Sequence, residues 1–65
     1  MKIKLNGIDF ETRCVTLEEL LNIEGHKQKA VATAVNGEFV AIENRAETLL
    51  TENDAVEIIA PMSGG

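Results

Sequence analysis

Two Asn-Gly dipeptides, Asn6-Gly7 and Asn36-Gly37, each fall between short β-forming runs, and a capped helix stands between them. Asn-Gly readily supplies the positive φ angles that a tight hairpin turn needs. Before the first pair, Lys2 and Lys4 alternate with Ile3 and Leu5, the pattern of a half-buried strand. A second strand is expected over about Ile8 to Arg13. Around the second pair, Ala30 to Val35 is small and β-branched, and Glu38-Phe39-Val40 opens a fourth strand.

The helix is announced by Thr16-Leu17-Glu18-Glu19, a capping box with Thr16 as N-cap and Glu19 three residues on. Leu17, Leu20, Leu21 and, less regularly, Ile23 offer an apolar face, and Gly25 offers a left-handed cap. Ala41 to Leu50 reads as irregular, with a helical turn near Glu43 to Arg45. Glu52-Asn53-Asp54 is a turn. Ala55 to Ala60 is the last strand, with Val56, Ile58 and Ala60 on one face and Glu57 and Ile59 on the other. Pro61 cannot donate a ladder hydrogen bond, so the strand should stop there. The order is β-β-α-β-β-β, an α+β class. The natural assembly is a β-grasp, the ubiquitin-like arrangement: a mixed sheet of four to five strands, one helix packed across it, and the first and last strands paired centrally. The folded domain is expected over residues 1–60, with 61–65 a flexible C-terminal tail.

A chain of 65 residues buries only roughly 60% of its unfolded surface, which leaves little room for a private active-site cavity. A domain working through its surface or ends is favoured over an enzyme. Six Lys and Arg against eleven Asp and Glu give a net charge of −5, the wrong balance for nucleic acid. Two phenylalanines make no base-stacking platform. The acidity suits either a basic groove on a partner protein or simple solubility. Cys14 is the single cysteine, so an internal disulfide, an iron–sulfur cluster and a structural zinc site are all excluded. With no signal-peptide pattern and no apolar run of roughly 20 residues, a cytoplasmic, membrane-free protein is expected.

The chemistry is expected at the tail. After Pro61, Met62 and Ser63 come Gly64 and Gly65. Two residues without Cβ can extend through a narrow channel and let another backbone come close. They would present a lone carboxylate on a flexible stalk. A carboxylate is a poor electrophile, but ATP can convert it to an acyl-adenylate, and sulfur transfer then yields a thiocarboxylate. A frayed, inert terminus is the plain alternative.

Val35-Asn36-Gly37-Glu38-Phe39-Val40 and the closing run Asp54 to Gly65 resemble the ThiS family of sulfur carriers in thiamine biosynthesis. The likeness extends to chain length, the early Asn6-Gly7 hairpin and the Leu-rich helix. It implies a protein co-substrate rather than an enzyme, with Gly65 as the adenylation and thiocarboxylate site and Gly64 beside it. The implied partners are an E1-like (ThiF-like) adenylyltransferase using ATP and magnesium, a cysteine desulfurase as sulfur source, and a ThiG-like thiazole synthase as acceptor. No cofactor or metal would be bound by this chain. Ala41-Ile42-Glu43-Asn44-Arg45 departs from the family, whose members often carry Pro-Arg and a Trp there. A molybdopterin-synthase small subunit, a ubiquitin-like modifier and an inert interaction module remain as alternatives.

Ile59, Pro61, Met62 and Ser63 are the candidate partner contacts, Ile59 because it should face away from the core beside the tail. Phe39 reads as packing rather than recognition. Cys14 reads as a small buried hydrophobe rather than a sulfur-relay thiol, and His26 as a solvated loop residue. Glu18, Glu19, Glu24, Glu43 and Glu47 form no paired-carboxylate signature.

Overall fold

The computed structural model describes residues 1–25 and 30–60. Among the described residues the elements run β1 (Lys2–Leu5), β2 (Ile8–Glu11), α1 (Leu17–Ile23), β3 (Ala32–Val35), β4 (Glu38–Val40), the 3-10 helix Ile42–Glu47, and β5 (Ala55–Ile59). The strands form one sheet in the order β2-β1-β5-β3-β4. β1 and β5 run parallel, with Lys4 opposite Ala55 and Leu5 opposite Val56, while the other neighbours are antiparallel. This is a β-grasp, and the central pairing of the first and last strands follows the expectation.

Both hairpins turn on left-handed backbone. Asn6 and Gly7 have φ of 51° and 83°, Asn36 and Gly37 of 53° and 83°. Asn tolerates this region and Gly adopts it at no steric cost, so both dipeptides do what their chemistry suggested.

The ends of three strands differ from the expectation, and each difference has a partner-based cause. β2 stops at Glu11 rather than Arg13 because its neighbour runs out: Lys2 pairs with Glu11, and Met1 and Thr12 exchange the last two backbone bonds, both 2.9 Å. β3 begins at Ala32 rather than Ala30, since Ala32 already faces Ile59, the final residue of β5. Ala60 was expected on the core face of β5. It lies beyond the strand and is exposed, because the β3 ladder ends one residue earlier.

The capping box forms as the sequence dictates. Glu19 N–H donates to Thr16 Oγ1 (3.2 Å), and Glu19 Oε1 accepts from Thr16 N–H (3.1 Å) and Val15 N–H (2.8 Å). The Val15 and then the Thr16 amide hold the Glu19 carboxyl below its usual value. Gly25, at φ 79°, ends the helix. Seven residues are too few for a stable isolated helix, and burial of Leu17, Leu20 and Leu21 on the sheet supplies the difference. Ile23 does not join them; it is 68% exposed. At about 100° per residue it lies two steps round the helix from Leu21, off the buried stripe.

The core joins these leucines to Ile3, Val56 and Ile58 from the sheet and to Cys14, Val31 and Leu50 from the connections. Cys14 is buried, as expected. Arg45 enters unexpectedly. The 3-10 helix carries it inward until it is 1% exposed, where Nε donates to Thr33 Oγ1 (3.0 Å) and Nη2 to the Val31 carbonyl (2.7 Å). Thr33 Oγ1 in turn donates to the Val40 carbonyl at 2.8 Å.

Candidate functional site

The chain leaves the described fold from the middle of the sheet. β5 lies between β1, which pairs with it at Ala55 and Val56, and β3, which pairs with it from Val56 to Ile59, so Ala60, where description ends before residue 61, follows a strand with a neighbour on each side. The expected site residues Pro61, Met62, Ser63, Gly64 and Gly65 lie outside the described residues, as does His26. Ile59 is described, points away from the core and is 59% exposed.

Strand alternation determines what surrounds Ile59. Val56 and Ile58 face the helix, so Glu57 and Ile59 face the opposite side. On that outer side Ile59 stands opposite Ala32, and Ala34 stands opposite both Glu57 and Phe39. Ile59, Ala32, Ala34 and Phe39 thus form an apolar strip across three strands. Phe39 is 72% exposed, which overturns its reading as a packing residue. Its position in an outward register on edge strand β4 leaves the ring with no core to enter.

The other half of the same face is charged. Lys4 Nζ meets Asp9 Oδ1 at 2.8 Å across the β1–β2 pair. The hydrogen bond from Lys4, then its charge, lowers the Asp9 carboxyl. The outer sheet is therefore divided: apolar on the β3–β4 side and ionic on the β1–β2 side, with the exit of β5 between.

An internal catalytic centre would need converging reactive groups. A groove lined by Arg13, Cys14, Glu19, Asn22 and Ile23 runs beside the helix. Its thiol is buried in the core, and its carboxylate is engaged by the capping box. Among the described residues no three His, Cys, Asp or Glu gather in a way that could hold a metal ion. No helix among them is long and apolar enough to cross a membrane.

Sequence reading missed a pair of devices that hold β5. Asn6 N–H donates to the Val56 carbonyl (2.8 Å), the last backbone bond between β1 and β5. Continuing the parallel ladder would require the Asn6 carbonyl to accept from Ile58, but the left-handed turn carries it away. Its side chain substitutes: Oδ1 accepts from Ile58 N–H (2.8 Å) and Nδ2 donates to the Ile58 carbonyl (3.2 Å). Asn36 repeats the device at the other end of β5. Its N–H donates to the Ala55 carbonyl (2.7 Å), while its Oδ1 accepts from Ala55 N–H (2.9 Å). The signal was present in the two Asn-Gly pairs, but turn propensity accounted for Asn without revealing its second task.

The ThiS family model matches residues 3–65. The chain belongs to the ThiS family. ThiS proteins are small sulfur carriers. Two solved structures share the ThiS fold. A crystal structure of the thiamine biosynthesis protein ThiS from Geobacter metallireducens is 28% identical, with a TM-score of 0.84 and 100% of both chains covered. A solution structure of a thiamine biosynthesis protein from the same organism is 29% identical, with a TM-score of 0.83, covering 100% of this chain and 88% of that one. No curated protein matches the chain.

Proposed function

We propose that this protein carries sulfur for building the thiazole of thiamine, with the Gly65 carboxylate as the loading point. The observation that carries the reading is the family match, which runs through the closing Gly64-Gly65 pair. It is supported by a fold that launches residues 61–65 from its central strand.

The chemistry asks little of the carrier. A Gly65 carboxylate oxygen attacks the α-phosphorus of ATP in an E1-like adenylyltransferase, where magnesium is also held, and pyrophosphate leaves. The acyl-adenylate is then open to sulfur delivered as a persulfide from a cysteine desulfurase, and AMP is expelled. Cleavage of the resulting acyl disulfide by a thiol releases the thiocarboxylate, which donates sulfur to thiazole synthase. The partners supply nucleotide, metal and sulfur. This chain supplies reach, through two residues that fit a narrow channel, and a recognition surface. The strip of Ile59, Ala32 and Phe39 provides that surface beside the exit of β5, with Pro61, Met62 and Ser63 continuing it along the tail. Exposed aromatic and aliphatic groups next to a charged border suit a partner contact.

The test is tandem mass fragmentation after incubation with the adenylyltransferase of the same organism, a desulfurase, cysteine and ATP. An oxygen-to-sulfur exchange placed on Gly65 is the expected result. Fragmentation matters because oxidation of Met1 or Met62 adds nearly the same mass. No ATP-dependent change at Gly65 removes the proposal, and conjugates to lysine would point to a protein modifier instead.

A further inference from the structure

Asn6 and Asn36 hold the two ends of β5 by the same substitution of side chain for backbone, yet only Asn6 acts at the end from which the tail departs. We propose that Asn6 is a positioning residue for sulfur loading: its carboxamide fixes the place and direction in which the C-terminal segment leaves the sheet. This rests on the sulfur-carrier reading.

On the β1 flank, backbone pairing with β5 stops at Leu5 and Val56. Without a further partner, the Ile58 N–H and C=O would turn to water. The Asn6 carboxamide takes both, at 2.8 and 3.2 Å, and extends the parallel ladder by one repeat. If it is lost, Ile58 and Ile59 hang from β3 alone, and a two-stranded pairing is marginal. Slack follows, because releasing two residues adds about 7 Å to the stalk. A longer stalk with a wandering base presents the Gly65 carboxylate to the α-phosphorus in productive geometry less often. Docking through the outer sheet is untouched. The deficit should therefore fall on turnover and leave affinity for the adenylyltransferase intact.

Asn6→Gly isolates the effect, since Gly keeps the positive φ of the turn and removes only the amide. Asn36→Gly is the matched control: at the far end of β5 it likewise deletes two side-chain bonds, one accepted from the Ala55 N–H and one donated to Asp54 Oδ1, and it keeps the backbone bond to the Ala55 carbonyl. Both variants should lose thermal stability to a similar degree. In ATP–pyrophosphate exchange with the adenylyltransferase, Asn6→Gly should lower kcat about tenfold while KM for the carrier changes less than about twofold. Asn36→Gly should keep the wild-type kcat. Amide hydrogen exchange at Ile58 should accelerate in Asn6→Gly and not in Asn36→Gly. Asn6→Asp can still accept from the Ile58 N–H but cannot donate to its carbonyl, so it should fall between; it also decides the matter if Asn6→Gly does not fold. Equal kcat for the Asn6 and Asn36 variants, or unchanged exchange at Ile58, overturns the proposal. Wild-type protein that supports no exchange at all overturns the sulfur-carrier reading and this proposal with it, a result distinct from a normal Asn6→Gly.

Discussion

A buried guanidinium costs several kcal/mol unless its N–H groups find acceptors, and Arg45 meets that condition with the Thr33 hydroxyl and the Val31 carbonyl. The planar fork aims two donors at once, a geometry an ammonium cannot copy. Arg45→Lys should therefore cost about 1–3 kcal/mol, read as a lower urea midpoint. Nothing in the local sequence marked this arginine, because Ile42–Glu47 is polar and an arginine there is ordinarily solvated. Asp54 carries the pH response. Burial raises its carboxyl, but hydrogen bonds from Asn36 Nδ2 (3.0 Å), the Thr51 amide (2.8 Å) and the Thr51 hydroxyl (2.9 Å) outweigh it and hold the group below its ordinary value. A carboxyl depressed by folding contributes stability above its unfolded pKa, and that contribution fades as pH falls through the folded value. Stability should decline below about pH 4, and Asp54→Asn should flatten part of that decline while lowering the midpoint at pH 7. Urea titrations at pH 7 and pH 3 check both. Asp9 and Glu19 are lowered in the same direction and add to the same trend.

At the scale of elements, α1 depends on its cap because it has only two turns. Thr16→Ala should cost about 1 kcal/mol, seen as a fall of roughly 4–8 °C in Tm for a domain this small. Leu20→Ala removes a fully buried side chain and should cost about 2–5 kcal/mol. The cap, the leucine stripe and both Asn-Gly turns were legible in the sequence because each is set by neighbours three or four residues away at most. Strand limits were not. β2 stops where its hairpin partner β1 runs out, as Glu11 with Lys2 shows, and β3 begins where β5, from the far end of the chain, stops, as Ala32 with Ile59 shows. The misassignment of Ile23 has a local cause instead: it follows Leu21 too soon to return to the buried stripe.

Across the whole molecule, the division of the outer sheet gives a separable test of docking. Phe39→Ser replaces an exposed ring and should alter stability by less than about 0.5 kcal/mol. It should raise KM for the adenylyltransferase about tenfold if the ring anchors the partner; an unchanged KM would assign the contact elsewhere. The alternation of β5 made the outward face of Ile59 readable from sequence. The register that gathers Ala32, Ala34 and Phe39 around it depends on strands distant in the chain, so the strip itself was hidden. The central place of β5 also has a mechanical consequence. A tether tied to an edge strand could be peeled away one hydrogen bond at a time when a partner pulls. Here any pull along β5 is shared by β3 on one side and by β1 with the Asn6 carboxamide on the other, and is resisted in shear, so it turns the whole body rather than unravelling it.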